Sequence, residues 1–186
     1  MPSTSDPLYK LYAATSALGD QPECKTCRRC EDPVGLVYLL SSEASVRHEL
    51  RLPVVEATSA ASYVPRTSTC HCLHFEATQG RCLIYDRRPL CCRIYPIDLI
   101  RFADGDVQWV LHAECPIAQR WATTRTLDIP LETIAALESE LTIGQVEEWI
   151  AQERFSKSVE TMFGSELKLI KMRPIDYSRL RPATRG

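Results

Sequence analysis

The sequence lacks the features of a secreted or membrane-inserted protein. The stretch Met1–Ala17 has no basic segment followed by an apolar one, so no secretory signal is expected. No apolar run approaches the roughly 20 residues of a membrane-spanning helix. We therefore expect a cytoplasmic protein with no membrane association.

Charge excess and nucleotide-binding patterns are also missing. The 22 lysines and arginines against 24 aspartates and glutamates give a net charge of −2, which argues against a nucleic-acid binder. Neither a G-x-G-x-x-G pattern nor a P-loop is present, so a nucleotide or S-adenosylmethionine pocket has no support. There is no Ser/His/Asp signature either. The sequence leaves a protein partner open and does not decide whether the chain is an enzyme.

Cysteine, by contrast, is abundant. The nine cysteines are odd in number, and a chain of 186 residues can bury a core without disulfides, so a disulfide scaffold is disfavoured. In a reducing compartment, clustered cysteines indicate metal or redox chemistry. None follows Cys115, so the chemistry is expected before the C-terminal third.

The densest cluster is Cys24-x-x-Cys27-x-x-Cys30, with three thiolates within seven residues. A turn of that length can wrap one soft metal ion or one corner of an iron–sulfur cluster. The spacing matches the first three ligands of a bacterial ferredoxin run, but zinc tolerates it too. Spacing alone therefore does not choose the metal.

A second cysteine region spans residues 70–96. If its start is extended, Cys70, Cys72 and His74 share one face. Further on, we expect Asp86 to cap a short helix that begins near Pro89. The remaining cysteines of the region, and the other histidines that could be ligands or structural residues, are Cys82, Cys91, Cys92, His71 and His112.

The first turn of that short helix would hold Cys91 and Cys92. A helix N-terminus favours thiolate, which suits Cys92 as a ligand. Cys91 would point roughly 100° away on such a helix. We therefore expect Cys91 to pack in the core.

Periodicity predicts a mixed fold. The first half is predicted to contain a strand over 34–40, a helix over 43–50, an irregular excursion over 52–69, and an N-terminal helix with one face formed by Leu8, Leu11, Tyr12, Thr15 and Leu18. A hairpin of strands 98–102 and 107–111 is predicted next. Two helices are predicted after it: one with Leu131, Ile134, Leu137 and Leu141 on its buried face, and a further one opened by a capping box of Thr142 and Gln145. The segment from Ser165 is basic and reads as a solvated tail.

The second region continues as Cys82-Leu-Ile-Tyr85-Asp-Arg-Arg88-Pro89-Leu-Cys-Cys92-Arg93-Ile-Tyr95-Pro96. With the triple-cysteine motif, this resembles the bacterial CxxCxxCC cysteine-cluster family, whose domain is described as zinc- or iron-chelating. The second signature is a cysteine, a tyrosine, Arg-Pro, Cys-Arg, an aromatic residue and proline, and every position is filled. The resemblance covers about residues 20–120. It departs in one place, because Glu31 stands where the first motif has its second adjacent cysteine.

The resemblance implies a ligand set and a cofactor. The family-like cysteines are Cys24, Cys27, Cys30, Cys72, Cys82, Cys92 and Cys115. Arg88 and Arg93 flank one of them, where guanidinium groups would offset the negative charge of a thiolate site and donate hydrogen bonds to sulfur; the alternative is that they are ordinary surface arginines. Seven cysteines exceed the four that one centre needs, so a second metal or a redox pair stays open.

We expect a small α+β fold: an irregular, cysteine-rich metal-binding domain with a β-hairpin and a C-terminal helical layer. Its parts are a cysteine-cluster region over 1–126, helices packed on it over 127–164 and a basic tail over 165–186. The leading hypothesis is a protein with an iron–sulfur cluster, [4Fe–4S] favoured over zinc. The alternatives are a structural zinc-binding interaction module and a redox or methylase-like enzyme, since relatives include flagellin lysine methylases in which an iron–sulfur cluster is implicated.

Overall fold

A computed structural model describes residues 7–19, 37–49, 55–58, 61–64, 74–76, 78, 81–162 and 168–182. The predicted sites Cys24, Cys27, Cys30, Cys70, His71 and Cys72 lie outside these residues. Small antiparallel sheets and helices make up the described part. The α+β expectation is confirmed.

The elements follow one another along the chain in a mixed order. The helices are α1 (Pro7–Ala14), α2 (Ser16–Gly19), α3 (Ala44–Glu49), α4 (Leu90–Ile94), α5 (Pro116–Thr124), α6 (Asp128–Glu140) and α7 (Ile143–Met162). The strands are β1 (Val37–Leu39), β2 (Val55–Thr58), β3 (Ala61–Val64), β4 (Phe75–Glu76), β5 (Arg81–Cys82), β6 (Ile97–Arg101), β7 (Val107–His112) and β8 (Leu169–Pro174). No helix within the described ranges is both long and apolar enough to cross a membrane.

The central sheet has the strand order β6-β7-β8. The predicted hairpin is confirmed, with Leu99 opposite Trp109 in an antiparallel register. Its turn uses Gly105 at a φ of 94°, a left-handed conformation that glycine adopts at low cost. Most of the buried side chains of β6 and β7 belong to the main hydrophobic core.

The third strand of this sheet corrects the expectation of a basic tail. Residues 169–174 pair with β7, with Trp109 opposite Arg173. Two arginines of the segment form ion pairs with α6: Arg173 pairs with the buried Glu138, and Arg181 pairs with Glu140. The basic composition predicts a solvated segment. That prediction is wrong because the acidic partners lie on α6, far away in sequence, and a local pattern does not show them.

A second three-stranded sheet corrects the expectation of an irregular excursion over 52–69. Its order is β1-β3-β2, and β3 pairs with β1 through Val37 and Val64. Valine and threonine favour extended backbone, but a strand pairing depends on a partner that a local pattern does not show. The predicted strand over 34–40 is present as β1.

The C-terminal helices pack over the central sheet. Trp109 of β7 meets Trp149 of α7 edge to face, with ring centroids 6.2 Å apart. The predicted capping box that opens α7 is confirmed, because the backbone N–H groups of Thr142 and Gln145 each donate to the other residue's side chain. Leu131, expected in the buried face of α6, is 36% exposed because that face is rotated toward Pro130, Ile134 and Leu137.

The N-terminal helices belong to the same core. Leu8, Leu11, Thr15 and Leu18 are buried, as their spacing predicts. α1 and α2 contact α6 as well as α4. The cysteine-bearing helix α4 therefore lies beside a packed N-terminal element, which fixes the surroundings of the site.

Candidate metal centre

Two adjacent cysteines occupy the first turn of α4. Cys91 and Cys92 are both half-buried, and their Sγ atoms are 3.9 Å apart. Tetrahedral coordination with Zn–S bonds of ~2.3 Å places two thiolate sulfurs ~3.8 Å apart. The pair therefore has the spacing of two ligands on one mononuclear ion, although Cys91 also packs against the core as the sequence predicts.

The start of α4 is held by a residue that the sequence did not single out. Pro89 precedes the helix and makes no side-chain cap, so the expected cap by Asp86 is wrong. The backbone N–H of Leu90 donates instead to Glu43 Oε1 at 2.7 Å. The backbone carbonyl of Asp86 accepts from Arg93, and the charge of its carboxylate also acts on that guanidinium.

Glu43 is a fully buried carboxylate with three donors around it. Tyr12 donates its hydroxyl proton to Oε1 at 2.7 Å, and the backbone N–H of Leu40 donates to Oε2 at 3.0 Å. Desolvation raises the pKa of Glu43 above its usual value, against the hydrogen bonds from Leu90, Tyr12 and Leu40, which lower it. Burial also raises the pKa of Tyr12, and the charge of Glu43 adds to this effect. Sequence periodicity places Glu43 at the start of a predicted helix, where carboxylates are commonly solvated.

Arg93 ties α4 to the turn before it and to α1. Its Nε donates to the carbonyl of Arg88 at 2.7 Å, and its guanidinium lies 4.2 Å from the ring centroid of Tyr12. Such a cation–π contact is worth about 0.5–2 kcal/mol, depending on desolvation. Arg93 therefore has a structural role beside the cysteine pair.

Arg88 has a similar local role. Its Nε donates to the carbonyl of Tyr85 at 2.9 Å, and its guanidinium stacks 3.7 Å from the Tyr85 ring centroid. These contacts stiffen the turn Tyr85–Arg87 that leads into α4. They do not test the predicted role of either arginine toward a bound cofactor, which stays a prediction.

The other described cysteines lie on neighbouring elements. Cys82 is half-buried on β5, paired with Phe75 of β4. Cys115 is 4% exposed, belongs to the core cluster and precedes α5. Within the described ranges, no group of three or more cysteine, histidine or acidic side chains converges on one point.

The cysteine-bearing region matches a known family. The matching family model is CxxCxxCC, with the description "Putative zinc- or iron-chelating domain", and it covers residues 23–116, just over half of the chain. The chain belongs to the CxxCxxCC family. The resemblance seen in the sequence is thereby confirmed. No curated protein and no solved structure matches the chain.

The CxxCxxCC match places all nine cysteines inside the family domain and leaves α6 and α7 outside it. The family is associated with chelation of zinc or iron, and thiolates suit both metals. Which cysteines are ligands stays a prediction for all seven proposed positions. The first motif of this chain has Glu31 where the family name has its second adjacent cysteine.

Two histidines within the CxxCxxCC region, His74 and His112, have different surroundings. His112 Nε2 lies 3.0 Å from Asp98 Oδ2, and its ring stacks on Tyr95. Burial alone would raise the pKa of Asp98, but the hydrogen bond and charge of His112, with the Trp149 N–H, hold it below its usual range. Among the described residues, His74 Nε2 is buried with no hydrogen-bond partner, and burial lowers the pKa of His74. His112 is therefore a structural partner of Asp98.

Proposed function

We propose that the chain is a cysteine-ligated metal-binding protein that carries an iron–sulfur cluster, with [4Fe–4S] favoured. The observation that carries metal binding is the grouping of nine cysteines within the family match, two of them with sulfur atoms 3.9 Å apart. The ferredoxin-like spacing of Cys24, Cys27 and Cys30 supports the cluster over zinc. The thiols also support a reducing, cytoplasmic site of action, and the resemblance to a bacterial cysteine-cluster family supports a bacterial source.

The donor set fits a soft metal centre. We propose Cys24, Cys27, Cys30, Cys72, Cys82, Cys92 and Cys115 as the pool from which ligands come. Arg88 and Arg93 would offset the net negative charge of a four-thiolate centre. When bound, an iron–sulfur cluster supplies one-electron transfer. The task of this chain's own residues is to hold and shield the thiolates.

The Cys91–Cys92 distance has different consequences for an iron–sulfur cluster and for a zinc ion, because it limits how many of the two cysteines can be ligands. In a [4Fe–4S] cluster each iron takes one protein thiolate, so two sulfurs at 3.9 Å do not both serve the cluster without rearrangement. This favours one ligand from the pair, and the family pattern selects Cys92. A zinc ion accepts both sulfurs at this separation. A structural zinc module is therefore the second candidate, and a redox or methylase-like use of a cluster is a further hypothesis.

The proposal is tested by anaerobic purification with analysis of iron, zinc and acid-labile sulfide. We expect brown protein that contains iron and sulfide. Colourless protein with stoichiometric zinc and no sulfide would refute the cluster and support the zinc module. Anaerobic handling matters because a lost cluster can be replaced by zinc.

A triple substitution of Cys24, Cys27 and Cys30 by serine tests metal binding itself. Serine keeps the size of the side chain and removes the thiolate, so most of the bound metal should be lost. The matched control is Cys91→Ala, which removes a thiol outside the proposed ligand pool. Full metal content in the triple variant would overturn the proposal.

A further inference from the structure

Glu43 joins three segments that are distant in sequence. Its carboxylate accepts from Tyr12 on α1, from Leu40 in the turn after β1 and from Leu90 at the start of α4. Tyr12 and Leu90 lie 31 and 47 residues from Glu43. The side chain is 0% exposed, so water does not replace any of these three contacts.

We propose that Glu43 is a positioning residue for the metal centre: its carboxylate fixes the start of α4 and thereby the place of the Cys91 and Cys92 sulfurs. This inference rests on the proposed metal-binding function. It assigns a role to a residue that lies between the two cysteine motifs and contributes no thiolate.

The shortness of α4 gives Glu43 this influence. A helix of five residues does not hold itself in place, since short helices are marginal without tertiary contacts. The buried side chains of Leu90 and Ile94 anchor α4 in the core, and two further points of contact flank the cysteines: the N–H of Leu90 on Glu43 and the guanidinium of Arg93 on the Tyr12 ring. Tyr12 also donates to Glu43, so both points share one support.

Replacement by glutamine shows why the carboxylate is needed. If the glutamine carbonyl faces Tyr12 and Leu90, its NH2 group faces the N–H of Leu40, and two donors oppose each other. If the amide is flipped, the opposed donor is the N–H of Leu90. Either orientation leaves one buried backbone N–H of this network without an acceptor, so Glu43→Gln should move or loosen α4.

The chain offers a matched control in Glu138. Glu138 is also 0% exposed and its carboxylate also accepts three hydrogen bonds, from Trp109, Arg173 and Asp176. These contacts join α6 to β7 and to the segment that begins with β8, and none is to α4. Glu138→Gln therefore perturbs a buried carboxylate of the same kind without touching the start of α4.

The test is zinc(II) affinity of the reduced full-length chain, measured by competition with a chromophoric chelator. Loss of residues that orient metal ligands costs on the order of 10–100-fold in affinity. We expect a decrease of that size for Glu43→Gln, together with a shifted cobalt(II) absorption spectrum, and neither change for Glu138→Gln. An unchanged affinity for Glu43→Gln, or equal decreases in both variants, would overturn the inference.

Milder variants keep the test decisive if Glu43→Gln does not fold. Tyr12→Phe removes one donor to Glu43 and keeps the ring under Arg93, so it should lower zinc affinity in the same direction by a smaller factor. Tyr9→Phe, an exposed tyrosine on the same helix, is its control. Equal effects of the two phenylalanine variants would contradict the inference.

Alkylation of the metal-free chain separates this inference from the proposed function. Glu43→Gln should speed iodoacetamide labelling of Cys91 and Cys92 but not of Cys115, as measured by mass spectrometry, whereas Glu138→Gln should not. If wild-type protein binds neither zinc nor a cluster, the proposed function fails and the labelling rates still decide the role of Glu43. Identical labelling patterns in the two variants would overturn that role.

Discussion

Separate replacement of Cys91 and Cys92 by alanine tests the site most directly. Cys92 fills the cysteine of the Arg-Pro-x-x-Cys-Arg pattern, whereas Cys91 has no counterpart in it. The 3.9 Å between their sulfurs suits only one of them as a ligand of a [4Fe–4S] cluster. We therefore expect Cys91→Ala to keep the metal and Cys92→Ala to lose it.

The size of each effect follows from the surroundings of α4. Cys91 is half-buried and packs against the core, so its loss should lower the free energy of unfolding by about 1 kcal/mol, as point mutations commonly do. In a chain of this size that lowers the unfolding temperature by about 2–4 °C. Cys92→Ala truncates a side chain that is also half-buried and in addition loses the stabilisation from bound metal, which is about 2.7 kcal/mol when free metal exceeds its dissociation constant 100-fold.

The assay combines metal analysis with thermal unfolding, each with and without a strong chelator. Without chelator, Cys92→Ala should unfold at a lower temperature than Cys91→Ala. With chelator the two should converge, because the contribution of the metal is then absent from both. Loss of metal from Cys91→Ala with retention in Cys92→Ala would refute both the family register and the placement on α4. Equal loss in both would instead support a zinc ion shared by the pair.

Two further predictions concern buried charges away from the cysteines. Asp98→Asn should lower the free energy of unfolding by about 2–3 kcal/mol at neutral pH, because His112 loses a charged acceptor. Because the pKa of Asp98 is lowered in the folded state, ionised Asp98 adds to the free energy of unfolding above its unfolded pKa, near 4, and this stabilisation is lost as the pH falls through the folded pKa. The free energies of unfolding in urea of variant and wild type should therefore converge in acid. Arg173→Met should cost about 2–3 kcal/mol in urea unfolding, because Glu138 stays buried with one partner fewer, whereas the exposed Arg179→Met should cost under about 0.5 kcal/mol. Equal costs at the two arginines would contradict a fixed role for the C-terminal segment.

The family is recognisable from the sequence alone because its motifs consist of residues that lie close together in the chain. The ordered mixture of cysteine, tyrosine, arginine and proline from Cys82 to Pro96 is specific because it includes several residue types. The structure adds the sulfur spacing of Cys91 and Cys92, which no spacing in sequence provides.

Local patterns determined the hairpin of β6 and β7, the buried face of α1 and the capping box that opens α7. Each depends on residues a few positions apart, whose periodicity or hydrogen bonds form within one element. The same kind of reasoning failed at the start of α4, where Asp86 was expected as the cap. The actual partner, Glu43, lies 47 residues from Leu90.

The sequence by itself therefore determined the family, the α+β class and the cysteine motifs. Only the tertiary structure decided that residues 169–174 of the basic C-terminal segment form a strand, that β3 pairs with both β1 and β2, and that Glu43 accepts the N–H of Leu90 at the start of α4. The physical reason is the same in each case. A strand edge or a buried carboxylate is stable only with partners that the fold brings from distant parts of the chain, and a local pattern carries no record of those partners.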